Sequence, residues 1–174
     1  MEQVILVNEQ DEVLGVMEKM EAHEKALLHR AFSVFVFNEK DELLLQKRAL
    51  TKYHSGGLWT NTCCSHPRPG EPIELAAARR LKEEMGFTTD LSKAFSFTYS
   101  AAFSNGLTEH EFDHVFTGRY HGDIHINREE VETYAFRSLQ EIASLLEQEP
   151  ESFTAWFHIA FPKVRDWYLV NHKL

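Results

Sequence analysis

The segment TNTCCSHP, residues 60–67, contains the residues best suited to chemistry: both cysteines of the chain stand side by side, with a histidine two positions later. In an extended segment alternate side chains share a face, so Cys64 and His66 point to one side and Cys63 to the other. A thiol beside an imidazole suits proton transfer or metal binding. Cys63 is expected to be a small buried apolar residue, and Cys64 the reactive one.

A second segment, TEHEFDHVF at residues 108–116, brings the carboxylates of Glu109 and Glu111 onto one face of a predicted strand. The opposite face is expected to carry His110, Phe112, His114 and Phe116. With His66 and two upstream histidines, His23 and His29, the carboxylates form a donor set suited to zinc or manganese. The alternatives are a chance grouping among the ten histidines of the chain and, for the glutamates, a device that keeps an edge strand soluble.

A helix is predicted over residues 72–86, PIELAAARRLKEEMG. Pro72 suits the first turn of a helix, and Gly86 suits the position just after its end. The apolar stripe at helical spacing is predicted to be Leu75, Ala78, Leu81 and Met85. Ion pairs four residues apart are expected between Arg79 and Glu83 and between Arg80 and Glu84. An ordinary solvated helix face would show the same spacing.

The charged face of this helix resembles the Nudix box, in which glutamates on a short helix hold a divalent cation against a diphosphate. The matching residues are Glu71, Arg79, Leu81, Glu83, Glu84 and Gly86. Ser65 replaces the opening glycine of that pattern, and Arg80 replaces a glutamate. Since Nudix hydrolases use that glutamate as a metal ligand, the resemblance implies a Nudix fold with altered hydrolytic machinery. Glu84 could still hold a magnesium ion that is completed by diphosphate oxygens.

The remaining elements supply the framework that must position these side chains. Strands are predicted over residues 4–7, 13–19, 31–37, 43–48, 58–64, 95–103 and 110–120, with 31–48 forming a hairpin. Residues 20–30 are expected to be a loop or a short helix. Helices are predicted over residues 138–148, where Ser138 and Glu141 have capping-box spacing, and over 155–170 on both sides of Pro162. This order predicts an α/β fold, a Nudix-like mixed sheet packed between helices in α/β/α layers.

Composition and charge narrow the possible functions. The 174 residues are 43% hydrophobic, which fits a single domain over residues 1–174. A net charge of −9 argues against a nucleic-acid partner and requires a local basic cluster or a metal for any anionic substrate. Adjacent cysteines indicate free thiols, and we expect a cytoplasmic protein without a signal peptide or membrane span. Oligomeric state is not specified by the sequence, with a monomer slightly favoured.

Taken together, these segments resemble the type I isopentenyl-diphosphate isomerases. The resemblance rests on TNTCCSHP, the degenerate Nudix box, EHEFDHVF and AFSVFVFNEKDELLLQKRALTKYHSGGLWTN, and it extends from about residue 4 to the last helix. It implies an allylic proton shift that interconverts isopentenyl diphosphate and dimethylallyl diphosphate, a small-molecule diphosphate pair, in isoprenoid precursor synthesis.

The resemblance also implies roles at the reacting end of the site. Cys64 and Glu111 would be the catalytic pair, and Tyr99 would assist by a hydrogen bond to a carboxylate. A tightly bound divalent metal, manganese or zinc, would be held by His23, His29, His66, Glu109 and Glu111. By itself, Tyr99 could equally be a half-buried strand tyrosine.

At the diphosphate, the resemblance implies a second ion, magnesium, and a basic pocket. Glu84 would help to hold the magnesium. The residues implied near the substrate are Lys19, Arg48, Lys52, Arg80 and Trp156. On spacing alone, Lys19 and Lys52 could equally be solvated surface lysines, and Trp156 could be an ordinary core residue.

The allylic proton shift suits the residue types that the resemblance selects. Protonation of an unactivated double bond gives a tertiary carbocation that water would destroy, so an acid and a base must flank the allyl unit in a dry site. Cys64 and Glu111 could do so from different segments, and Trp156 could place its π face against the cation. Which of the two delivers the first proton stays open. The rivals are a Nudix pyrophosphohydrolase, against which Arg80 counts, and a non-catalytic module with a closed structural metal site.

Overall fold

The computed structural model describes residues 1–172. In chain order its elements are β1 (Gln3–Val7), β2 (Val13–Glu18), α1 (Lys19–Glu24), β3 (His29–Phe37), β4 (Leu43–Arg48), β5 (Trp59–Thr60), β6 (Cys63–Ser65), α2 (Ile73–Met85), β7 (Leu91–Ala102), β8 (Thr108–Arg119), β9 (Val131–Arg137), α3 (Leu139–Gln148) and α4 (Ala155–His172). The strands belong to one mixed sheet with helices against both faces, so the predicted α/β class is confirmed. Strand β9 had no counterpart among the predicted elements.

The sheet is organised around β3. This strand pairs in parallel with β8 and antiparallel with β6, and β8 continues into an antiparallel pair with β7. A second group of strands is formed by β4, which pairs with β5 and β9. The two groups diverge because β3 and β4 pair only through Phe37 and Leu43. The predicted hairpin over residues 31–48 is therefore wrong beyond its turn: β6 occupies the edge of β3 that a regular hairpin would give to β4.

Two buried polar residues between β5 and β6 join the diverging strands. The Thr62 hydroxyl accepts a hydrogen bond from the backbone N–H of Val36 and donates one to the backbone oxygen of Leu44. The Asn61 amide donates to the backbone oxygens of Val34 and Cys63. Because buried backbone groups are costly to leave unpaired, these side chains replace the missing ladder and hold the strands apart.

Each face of the sheet buries its own apolar cluster. Phe32, Val34 and Phe116 pack under α2, whereas Phe35 and Val115, from the alternate positions of the same strands, pack under α3 and α4. This alternation follows from the two-residue period of a strand. Cys63 belongs to the α2 cluster and is fully buried, as its predicted orientation requires.

The helix boundaries are confirmed where the sequence contains explicit signals. Helix α2 begins after Pro72 and ends at Gly86, whose positive φ of 77° favours glycine. A Cβ atom at Gly86 would also collide with the backbone oxygen of His125. Ser138 and Glu141 form both bonds of the predicted capping box. Helix α4 continues through Pro162.

The predicted apolar stripe of α2 is wrong in part. Leu75 is 62% exposed and Ala78 is half-buried, while Ala76 and Ala77 pack against the sheet with Leu81 and Met85. The alanine-rich first turns leave the orientation of the helix ambiguous in sequence. The buried face that results also carries a carboxylate, Glu84, into the interior.

The alternative that Glu109 and Glu111 lie on an edge strand is wrong. Strand β8 lies inside the sheet, since it pairs with β7 from Thr108 and with β3 from Glu111 onward. Both glutamates are buried. Carboxylates in the interior of a sheet cannot serve as a solubility device. Along residues 1–172, no helix combines the length and apolar character that crossing a membrane requires.

Candidate active site

A cavity of about 600 Å³ opens where the two halves of the sheet diverge. Its walls come from the N-terminal residues, the β4–β5 loop, β6, α2, β7, β8 and the start of α4. The predicted site residues that line it are Lys19, Arg48, Lys52, Cys64, His66, Arg80, Glu84, Tyr99, Glu109, Glu111 and Trp156. His23 and His29 are fully buried directly behind this wall.

Cys64 and Glu111 share this cavity although they are far apart in sequence. Cys64 on β6 pairs with Ser33, and Glu111 on β8 pairs with His29, so both strands flank β3. Directly paired residues point to the same face of a sheet, and Ser33 and His29 are an even number of residues apart. The thiol and the carboxylate therefore project from the same face, on opposite sides of β3.

Four of the predicted metal ligands form one compact group. Ligand atoms of His23, His29, His66 and Glu111 all lie within 4.8 Å of one another. The Nε2 atoms of His29 and His66 are 3.2 Å apart, and they lie 3.6 Å and 3.0 Å from Oε1 of Glu111. Nitrogen and oxygen ligands stand at about 2.0–2.2 Å from a divalent metal, so ligands on opposite sides of an ion are about 4.0–4.4 Å apart. The separations within this group are similar to that spacing.

The histidine rings are already oriented for such an ion. The Nδ1 atoms of His23 and His29 face the backbone oxygens of Lys19 and Leu27 at 2.6 Å and 2.8 Å. Protons on Nδ1 leave the Nε2 lone pairs free, which is the usual arrangement of metal-binding histidines. Nε2 of His23 is buried and has no hydrogen-bond partner. An unpaired buried nitrogen facing a carboxylate group fits a divalent cation.

Glu109 lies slightly apart from this group. In the structure it belongs to a second set with His23 and His54, whose ligand atoms are also within 4.8 Å of one another. The Tyr99 hydroxyl links the two carboxylates, with distances of 2.6 Å to Glu111 and 3.0 Å to Glu109. The five residues predicted to bind one metal are thus neighbours. A further histidine, His54, lies beside them and was not predicted from the sequence.

The protonation states of Glu111, Cys64 and Tyr99 follow from their surroundings. Burial raises the pKa of the Glu111 carboxyl, but hydrogen bonds with His29 and His66 outweigh it and hold that pKa well below its usual range. Burial raises the pKa of the Cys64 thiol, which Arg48 lowers and nearby carboxylates raise further. Burial and the two glutamate charges raise the pKa of Tyr99. A carboxylate, a thiol and a phenol therefore meet in one cavity.

Basic side chains supply positive charge to the same cavity. Lys19 is paired with Glu2, and Lys52 with Glu130. The Arg48 guanidinium donates to the backbone oxygen of His54, while its Nε is buried without a partner. Cations held by exposed or half-buried carboxylates can exchange those partners for phosphate oxygens, which bind charged donors strongly.

Helix α2 contributes one cation and one buried carboxylate. Arg80 donates to Glu83 and Glu84 at 2.6 Å each, and it lies 3.4 Å from Glu130. Glu84 also accepts a 2.8 Å hydrogen bond from the Gln46 amide. Arg79, by contrast, makes a bidentate ion pair with Glu71, which ties the loop before the helix to its middle. The predicted pairs Arg79–Glu83 and Arg80–Glu84 are both present.

Trp156 closes the cavity from the first turn of α4. The residue is 3% exposed, and its indole Nε1 is buried without a hydrogen-bond partner. The Arg48 guanidinium lies 5.1 Å from the ring centroid, and the His54 ring meets it edge-on. An aromatic face beside a cation is the arrangement that favours positive charge.

Several residues of the cavity escaped the sequence analysis. His54 and Tyr53 stand in the β4–β5 loop, and Glu130 precedes β9. Gln46, inside β4, lies behind the cavity wall and donates to Glu84. Loop and strand residues with no periodic or motif spacing give no local signal. Tyr53 and His54 offered one, because they directly follow Lys52, which the family resemblance did select.

Comparison with known proteins extends these observations. The NUDIX domain family matches residues 27–157. The chain is 51% identical to isopentenyl-diphosphate Delta-isomerase from Pectobacterium atrosepticum over 166 residues, which cover 95% of this chain and 93% of that protein. Isopentenyl-diphosphate Delta-isomerase 2 from Photorhabdus laumondii is 47% identical over 169 residues, covering 94% of this chain and 96% of that protein.

Solved structures support the fold. A Deinococcus radiodurans protein matches with a TM-score of 0.71 at 19% identity, covering 85% of this chain and 90% of that one. MutT protein from Methanosarcina mazei matches with a TM-score of 0.64 at 23% identity, covering 78% and 91%. At such identities the likeness concerns architecture alone. The two isomerases, by contrast, are about 50% identical to this chain over almost its whole length. The chain therefore belongs to the isopentenyl-diphosphate Delta-isomerase family, within the NUDIX fold.

Proposed function

We infer that the chain catalyses the interconversion of isopentenyl diphosphate and dimethylallyl diphosphate. Its relatives carry that name at about half identity over nearly the full chain. The structural observation that supports the inference is a thiol and a carboxylate, Cys64 and Glu111, which line one cavity together with six lysine and arginine side chains. The pyrophosphohydrolase alternative has no comparable support, because Arg80 stands where the Nudix box has a glutamate.

The proposed reaction adds a proton at one end of an allylic unit and removes a proton from the other end. One of Cys64 and Glu111 donates a proton to the terminal alkene carbon, and the other removes a proton from the carbon on the far side of the cation. The Tyr99 hydroxyl, hydrogen-bonded to Glu111, assists that carboxylate in changing its protonation state. After the forward reaction the donor is deprotonated and the acceptor is protonated. The two groups are then ready to exchange roles in the reverse direction.

The intermediate tertiary cation needs protection from water and a partner for its charge. The rings of Trp156, Tyr53 and Tyr99 line the cavity and offer the hydrocarbon an aromatic surface among its polar walls. We propose that the Trp156 indole faces the cation, an interaction worth roughly 0.5–2 kcal/mol.

The diphosphate would be bound by Lys19, Arg48, Lys52 and Arg80, with a magnesium ion that Glu84 helps to hold. Magnesium usually keeps phosphate oxygens and only one or two carboxylates as ligands. Glu84 is buried beside Arg80, so its carboxylate is already held at the wall of the cavity. Lys52 and Arg80 both contact Glu130, which brings two of the proposed phosphate-binding cations together.

We propose that His23, His29, His66, Glu109 and Glu111 hold one further divalent metal, manganese or zinc. Three imidazoles favour these ions over magnesium, which prefers oxygen ligands. Such a metal supplies positive charge that fixes the orientation of Glu111 and biases it toward the carboxylate.

The setting of the enzyme is also a proposal. Two unpaired thiols, Cys63 and Cys64, suit a reducing cytoplasm, and the product is a precursor for isoprenoid synthesis. A single domain over residues 1–174 and a monomeric state stay predictions.

One NMR experiment tests the reaction class. The protein is incubated with isopentenyl diphosphate and magnesium in deuterated water, and we expect dimethylallyl diphosphate with deuterium in a methyl group. Glu111→Gln serves as the inactive control. A parallel panel of nucleoside diphosphates and dinucleotides reports hydrolysis: phosphate or nucleotide release without isomerisation would support the pyrophosphohydrolase and contradict our assignment.

A further inference from the structure

The strongest unassigned feature of the molecule is a buried histidine in the β4–β5 loop, His54. Its side chain is 3% exposed, and its Nε2 lies 3.1 Å from Oε1 of Glu109. Nε2 of His23 belongs to the same group, since ligand atoms of His23, His54 and Glu109 are all within 4.8 Å of one another. Both imidazole nitrogens are buried without a hydrogen-bond partner.

The contact between His54 and Glu109 is not an ordinary hydrogen bond. Its length would allow one, yet the ring N–H direction does not, and Nε2 remains unpaired. A nitrogen lone pair that faces a carboxylate oxygen at this distance is repulsive unless a proton or a metal cation lies between them, and the ring N–H direction is poor for a proton. Leaving a buried polar atom without a partner costs roughly 1–3 kcal/mol. A divalent cation would satisfy Nε2 of His54, Nε2 of His23 and the Glu109 carboxylate together.

The His54 ring is also fixed in the orientation that ligation requires. Its Nδ1 faces the Ser55 hydroxyl at 3.2 Å, which leaves Nε2 as the free nitrogen. Phe103 stacks on the ring, with centroids 4.5 Å apart and planes inclined by 13°, and Trp156 meets it edge-on at 5.7 Å. Packing of this kind holds a metal ligand in place.

We propose that His54 is a further ligand of the single divalent metal that His23 and Glu109 help to hold, which it approaches from the Glu109 side. The metal centre then contains four imidazoles rather than three. It also takes a ligand from the loop that bears Lys52, which connects the metal to a segment proposed to bind the diphosphate. This inference rests on the proposed binding of a divalent metal by the histidine and glutamate cluster.

The test counts coordinated imidazoles without using enzyme activity. The protein is stripped of metal and titrated to saturation with Co²⁺, which shifts the Nδ1–H proton of each coordinated histidine far outside the ordinary NMR range. We expect four such signals from the wild type and three from His54→Ala. His158→Ala is the matched control, because His158 contacts the backbone oxygen of Pro150 outside the cavity, and it should keep all four.

A second variant and a second readout keep the outcome clear. His54→Gln fills the same space with a polar side chain and should also lose one signal, even if the alanine variant folds poorly. Cobalt affinity should fall at least about tenfold in both variants, as loss of a metal-site partner does. Three signals in the wild type, or an unchanged count in His54→Gln, would overturn the inference. Absence of cobalt binding by the wild type would instead refute the metal site of the proposed function.

Discussion

Tyr99 and Glu111 face each other directly across the β7–β8 pair, and the Tyr99 hydroxyl donates a 2.6 Å hydrogen bond to Oε2 of Glu111. The same hydroxyl is 3.0 Å from Glu109. One phenolic proton can serve only one acceptor at a time, and the shorter contact favours Glu111. The register of two adjacent strands thus couples a proton donor to the proposed catalytic carboxylate.

Tyr99→Phe should slow the reaction while leaving substrate binding nearly intact. Hydrogen bonds to charged groups contribute about 1.5–3 kcal/mol, so we expect kcat to fall roughly 10–100-fold and KM to change little. Steady-state kinetics with isopentenyl diphosphate measures both constants. Tyr134→Phe, at an exposed position outside the cavity, is the control. An unchanged kcat in Tyr99→Phe would remove the hydroxyl from the mechanism.

The adjacent cysteines should respond in opposite ways to the same substitution. Cys64→Ala removes a proposed proton carrier, and we expect activity to fall at least about 100-fold with little loss of stability. Cys63→Ala removes a fully buried thiol from the α2 core and should lower the free energy of unfolding by about 1 kcal/mol while activity persists. Isomerase assays and urea unfolding distinguish the two. Full activity in both variants would contradict the assignment.

Local signals explain what the sequence could predict. The opposite orientations of Cys63 and Cys64 depend only on the two-residue period of a strand, and the ends of α2 depend on Pro72 and Gly86. Such features need no tertiary information, and the structure agrees with them. The pairing of Glu109 with Glu111 on one face was predictable for the same reason.

The features that the sequence did not predict depend on long-range packing. The spacing of Leu75 along the helix predicts a buried residue, yet the orientation in which α2 packs on the sheet leaves Leu75 exposed. The divergence of β3 and β4 depends on hydrogen bonds from Asn61 and Thr62, residues that follow another strand. His54 reaches Glu109 across 55 residues of sequence through the loop conformation alone. No periodicity in the chain encodes these contacts.

Trp156 offers a test of how the cavity treats positive charge. Trp156→Phe keeps an aromatic face, whereas Trp156→Leu keeps only apolar bulk. If the ring stabilises the cation, kcat of the leucine variant should be about tenfold below that of the phenylalanine variant, which corresponds to an interaction within the usual range of about 0.5–2 kcal/mol. Trp167→Leu, elsewhere on α4, is the control for helix packing. Equal kcat values for the two Trp156 variants would reduce this residue to a packing role.

The last turns of α4 provide a pH-dependent contact away from the site. The Tyr168 hydroxyl donates to Asp41, and this bond, together with Arg119, lowers the pKa of the Asp41 carboxyl. A lowered folded-state pKa means that the stabilisation is present above the unfolded value, near 3.9, and is lost as pH falls through the folded value. Tyr168→Phe should therefore lower the free energy of unfolding by about 1 kcal/mol near pH 7, discounted for the partial exposure of Asp41, and by less near pH 3.

Tyr120→Phe is the matched control, because Tyr120 also stacks on a phenylalanine but donates to a backbone oxygen that does not titrate. Urea unfolding of the three proteins at pH 7, 5 and 3 measures the effect, and a Tyr168→Phe deficit that stays constant over this range would show that the Asp41 charge is irrelevant to the docking of α4.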